Sequence, residues 1–137
     1  MRAISRGGLA LLVATMGLAA CDNTVNDLTV TPTPTATTET FTGTIGQNGA
    51  ATHSFVVTSS GTVTATLTAI SPEDAVAGLA IGTWNGAACQ VVLVNDNALL
   101  GNTITGSVAG IGTLCVRIAD TGKLVGSTDY TITVVHP

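Results

Sequence analysis

The chain has 137 residues, which leaves room for one small domain once the N-terminal segment is set aside. Gly, Thr, Val and Ala dominate, while charged residues make up 9% and aromatics 3%, a composition of short strands joined by turns rather than of surface helices rich in Glu and Lys. Arg2 and Arg6 precede the first apolar run, so the part after Cys21 sets two bases, Arg117 and Lys123, against eight acids. That balance excludes the basic footprint through which proteins bind nucleic acid.

Met1 to Gly8 carries Arg2 and Arg6 and no acid, and Leu9 to Ala20 carries no charge at all. These are the positive start and apolar middle of an export signal. The run is too short to cross a membrane, for which a helix needs about 20 apolar residues. Its end, Leu18-Ala19-Ala20-Cys21, resembles the lipobox of bacterial lipoproteins. The resemblance implies that residues 1–20 are a signal peptide and that Cys21 is lipidated and becomes the first residue of the mature chain. Two or three acyl chains then anchor almost permanently, since each buried CH₂ contributes about 0.8 kcal/mol. An ordinary secretory signal cleaved after Ala20, with Cys21 left as a thiol, is the alternative. Asp22 resembles the inner-membrane retention residue of some enterobacterial lipoproteins, a rule that is not general, so periplasm and exterior both stay open.

Residues 21–40 read as the lipidated cysteine followed by a spacer. The segment is rich in Thr, and Pro32 and Pro34 fix φ and remove backbone donors, which favours an extended polyproline-like chain. An extra edge strand over Val25 to Val30 is the competing reading.

From Phe41 the pattern becomes alternating apolar and Thr or Ser positions, broken by Gly and Asn. Strands are predicted at Thr40 to Ile45, Thr52 to Thr58, Thr62 to Ile70, Leu79 to Trp84, Gln90 to Val94, Thr103 to Val108, Thr113 to Ala119 and Asp129 to Val135. In the third, Val63, Ala65, Leu67 and Ala69 fall on one face and four threonines on the other, giving one buried and one wet side. Gly46-Gln47-Asn48-Gly49 and Ser59-Ser60-Gly61 have the residues of antiparallel hairpin turns. Pro72 to Ala77 is a loop with at most one helical turn. The expected fold of residues 41–137 is therefore all-β, an antiparallel two-sheet sandwich of about eight short strands, jelly-roll or immunoglobulin-like.

Phe41-Thr42-Gly43-Thr44-Ile45, Thr52 to Val57, Gly61 to Leu67, Gly112 to Ile118 and Tyr130 to Val134 together resemble the bacterial pre-peptidase C-terminal domain, in order and spacing over nearly all of Phe41 to His136. The resemblance implies a non-catalytic β-sandwich that assists secretion, substrate binding or localisation beside a secreted peptidase. No peptidase accompanies it here. Some relatives bind calcium through clustered acids, which this chain lacks near its first strand apart from Glu39.

Few residues suggest chemistry. Cys21 accounts for the odd cysteine, which leaves Cys89 and Cys115, 26 positions apart, as a disulfide pair in an oxidising compartment. Metal or redox pairing is the alternative, without CxxC spacing or a nearby His to favour it. His53 and His136 are the only imidazoles, and neither they nor Ser54 come with a nucleophile signature such as GxSxG. His53 shares the phase of Phe55 and Val57 and so points to the sandwich edge or upper core. Asn95-Asp96-Asn97 and Asp120 are loop oxygens of a kind calcium uses, but turns use them equally, and calcium takes six to eight. Trp84, followed by Asn85 and Gly86, is a core plug or a sugar-stacking platform. No metal, cofactor or catalytic residue is expected. The sequence points to a non-catalytic, lipid-anchored envelope protein whose sandwich binds glycan, peptide or another envelope protein. A structural or assembly subunit pairing through strand edges, or an accessory domain of a secreted hydrolase, is the alternative.

Overall fold

The computed structural model describes residues 32–137. The signal segment 1–20, Cys21 and the spacer as far as Thr31, including Val25 to Val30, lie outside the described residues. Eight strands follow: β1 (Thr37–Ile45), β2 (Ala50–Val57), β3 (Gly61–Ser71), β4 (Ala77–Trp84), β5 (Cys89–Ala98), β6 (Thr103–Val108), β7 (Gly112–Ala119) and β8 (Thr128–His136). Every predicted strand is present. β1 starts at Thr37 and so takes Thr37 to Thr40 out of the expected spacer, because those residues pair with His136 to Thr133 of β8.

The strands form two antiparallel sheets, ordered β1-β8-β3-β6 and β2-β7-β4-β5. This is the jelly-roll order, in which most neighbours are distant in sequence, rather than the immunoglobulin arrangement. Only β4 and β5 are paired neighbours in sequence. The expected hairpins at residues 46–49 and 59–61 are therefore corrected: both turns carry the chain from one sheet to the other. The residues at a turn set where the backbone reverses, as in the Gly49 N–H to Gly46 carbonyl bond of 3.0 Å, but the next strand's partner is decided by which apolar face it must cover.

Alternation places the core between the sheets. Leu67, Leu79, Ile118 and Ile132 are fully buried, with Val57, Val63, Val116 and Val134 beside them. Each such side chain contributes about 1.5–3 kcal/mol by leaving water. One expectation fails in β3. A bulge between Leu67 and Ala69 turns Ala69 outward and brings Ile70 into the core. The bulge inserts a residue and shifts the phase, so simple alternation stops at Leu67.

A further correction concerns the length of β5. It runs through Asn95-Asp96-Asn97 to Ala98, so these residues lie in a strand rather than in a loop.

Candidate functional site

The two open sides of the sandwich are built differently. On the side where the edge strands β1 and β2 meet, rings close the gap. Phe41 stacks on His53 with centroids 4.9 Å apart, His53 Nε2 lies 2.7 Å from the Tyr130 hydroxyl, and Phe55 packs against His136 at 5.0 Å. His136 is buried, bonds Glu39 Oε1 through Nε2 at 2.9 Å and lies 3.2 Å from the Pro137 carbonyl through Nδ1. This arrangement consolidates the wall. Ser54 follows His53 on β2 and therefore points to the opposite, exposed face, out of reach of the imidazole.

Burial lowers the His53 pKa and raises that of Tyr130, since each charged form would lose solvation. For His53 the sign follows from linkage. The unfolded chain takes up the proton near 6.5 and the folded chain only at lower pH, so stability is complete above 6.5 and declines as pH falls toward the folded value. Urea unfolding at successive pH values should show this decline, and His53→Gln should flatten it.

The side between the edge strands β5 and β6 has no aromatic ring among its lining residues and stays open. There a cleft of about 590 Å³ reaches the core, with Val57, Val63, Ile81 and Leu114 in its floor. Its size is that of ligand pockets, about 300–1,000 Å³, and its lining is mostly apolar. Gly106 in β6 has no side chain, and Leu93 of β5 packs against it, its Cδ1 2.7 Å from where a Cβ would stand. Along the lip, β5 exposes four consecutive apolar residues, Val91 to Val94, and across the mouth Ile111 stands 82% exposed. An unguarded apolar edge of this kind is a ready template for another strand, because its backbone N–H and C=O groups on that side lack partners. The cleft was not legible in the sequence. Its signal there was the run Val91-Val92-Leu93-Val94, four consecutive apolar residues that are all exposed.

The remaining predicted residues serve the scaffold. Cys89 and Cys115 form a disulfide. Asp120 accepts backbone N–H bonds from Asn48, Gly122, Lys123 and Leu124 at 2.8–3.1 Å, which ties two loops together. These bonds, first that from Asn48, hold its pKa below the ordinary carboxyl value. Asn95 Oδ1 accepts from Asn97 N–H at 3.0 Å within β5, and Asn97 Oδ1 accepts from Lys123 Nζ. These oxygens are engaged with protein donors. Asn85 Oδ1 likewise accepts from Ala87 and Ala88, so it shapes the β4–β5 turn, and Trp84 is half-buried in register with Cys89.

No protein-family model matches the chain, and no curated protein matches it.

Proposed function

We propose that the chain is a non-catalytic, lipid-anchored protein of the bacterial cell envelope, facing periplasm or exterior, whose β-sandwich is a binding module. Its ligand is an extended segment of another envelope protein carrying alternate apolar side chains. The observation that carries this reading is the juxtaposition of the cleft with the apolar edge of β5. A strand added beside β5 would satisfy backbone groups along that edge while every second side chain entered the cleft. The lipobox-like Leu18-Ala19-Ala20-Cys21 supports the anchor, and the resemblance of Phe41 to His136 to the pre-peptidase C-terminal domain supports a helper role beside exported proteins.

The same edge favours a second reading, an assembly subunit in which β5 pairs with β5 of another copy. One preparation separates the two. The protein is extracted from its own membranes, and its mature N-terminus should carry acyl chains on Cys21; an unmodified cysteine removes the anchor. The chain is then titrated with uncharged peptides of alternating apolar residues. Saturable binding that falls at least about tenfold in Val92→Lys, a loss of about 1.4 kcal/mol, supports the module. Binding that is absent, or indifferent to Val92→Lys, rejects it. A concentration-dependent dimer in light scattering that Val92→Lys abolishes selects the assembly subunit.

A further inference from the structure

The outer face of the β1-β8-β3-β6 sheet repeats one side chain in two dimensions. Most of its outward positions are threonine: Thr38, Thr40, Thr42 and Thr44 on β1, Thr131 and Thr133 on β8, Thr62, Thr64, Thr66 and Thr68 on β3, and Thr103 and Thr105 on β6; the others are Asp129 and Val135 on β8, Ala69 and Ser71 on β3 and Ser107 on β6. The register aligns them. Thr40 pairs with Thr133, Thr133 with Thr66 and Thr66 with Thr103, so one rank of threonines crosses the whole sheet. Beside it runs a second rank, Thr38, Val135, Thr64 and Thr105, with a single interruption. On the other side Thr42 pairs with Thr131, next to Thr68 at the bulge.

Strand preference and a wet face account for threonine at any one of these positions. They do not account for the exclusion of charge, since solvated faces ordinarily carry Lys and Glu of both signs. Most charges of the domain lie elsewhere. Glu73, Asp74, Asp120 and Lys123 are in the end loops, Asp96 and Arg117 belong to the other sheet, Glu39 on β1 is taken up by His136, and Asp129 on β8, bonded to Thr44, is the single charge on this face. The face is also already ordered. β-Branching restricts χ1, and hydroxyls meet at 2.9 Å between Thr66 and Thr103, 3.1 Å between Thr68 and Thr133 and 3.4 Å between Thr64 and Thr105. Little side-chain entropy remains to be lost on binding.

The chemistry of this face narrows its partner. It has no ring on which a sugar could stack, no aromatic or Arg anchor for a folded protein and no cation for an anionic surface. What it offers is a grid of threonines whose backbone positions repeat about 4.7–4.9 Å across the strands and about 6.6–6.8 Å along them, with some neighbouring hydroxyls paired across the strands. A partner with a matching repeat of neutral donors and acceptors is a crystal of water. We propose that this face binds ice, with the methyls holding, and the hydroxyls bonding, water molecules in the spacing of a prism face of the hexagonal lattice. Sheet twist of about 20–25° per strand confines the match to the Thr40 rank and the ranks beside it.

The test uses the full chain. Wild-type protein should open a gap between the melting and freezing temperatures of a seeded ice crystal, shape the crystal, and slow grain growth in a frozen film. Thr66→Lys, at the centre of the complete rank, should abolish all three. Thr52→Lys, exposed on the other sheet, should leave them at the wild-type level, and unchanged melting curves for both variants show that folding is intact. Wild-type protein without effect on ice growth overturns the proposal. So does full activity in Thr66→Lys, or retention on crystalline cellulose or chitin with none on ice.

Discussion

Gly82→Ala is expected to be among the most damaging single substitutions in the domain, because a Cβ there would overlap the backbone of Gln90 and press on Val91 Cα. The neighbour is main chain, so no rotamer change relieves it. Adjacent strands stand about 4.7–4.9 Å apart, so β5, separated from β7 by β4, should keep its Cα atoms near twice that distance from β7. Yet the Cα atoms of Cys89 and Cys115 are only 5.7 Å apart. The start of β5 therefore rides over the outer face of β4 at Gly82, aided by the register shift between Ile81 and Gly82, and reaches β7 from above. An added methyl would lift that crossing. Forcing atoms into a packed site costs typically about 1–3 kcal/mol, and a clash with backbone belongs at or above the upper end. Urea denaturation should show a loss of unfolding free energy of that size, whereas Gly86→Ala in the exposed turn meets no atom and should lose only what its positive φ demands.

Removing the disulfide by Cys89→Ser with Cys115→Ser should lower stability by about 3.5 kcal/mol, the loop-entropy value for a separation of 26 residues. For a domain of this size that corresponds to a fall in Tm of roughly 15–20 °C, which calorimetry reads directly. Domains are stable by only about 5–15 kcal/mol, so the bond is a large share of the whole. The two predictions are coupled. If Gly82 serves to let Cys89 reach Cys115, the effect of Gly82→Ala should shrink in the serine background, because residues that share one structural device are not additive. Fully additive losses would separate the glycine from the disulfide.

The strands were legible because alternation is local. Thr62 to Leu67 shows its two faces in six residues, and the same holds for Tyr130 to Val134, while in Leu114 to Ile118 the apolar face alternates but the other face is covered at Cys115. Legibility ended where a tertiary contact overrode the local pattern. Ala69 left the core because a bulge changed the phase. Asn95 to Asn97 joined β5 although their composition suits a loop, because pairing with β4 outweighed a weak intrinsic preference. The candidate cleft was hidden for a different reason: it is made by six strands and a loop that are scattered through the chain, and by the absence of rings on one side of the sandwich.

By itself, then, the sequence determined the all-β class, the eight strands, the inward and outward faces, the cysteine pair and the threonine positions, since each follows from side-chain alternation or residue type. The tertiary structure alone decided which strands are neighbours. That choice aligned threonines from four strands into ranks, closed the β1–β2 side with imidazole and aromatic rings, folded β5 over Gly82 and left the β5–β6 side open. The physical reason is that strand pairing is settled by how apolar faces cover one another across long sequence separations, and alternation is silent about the partner.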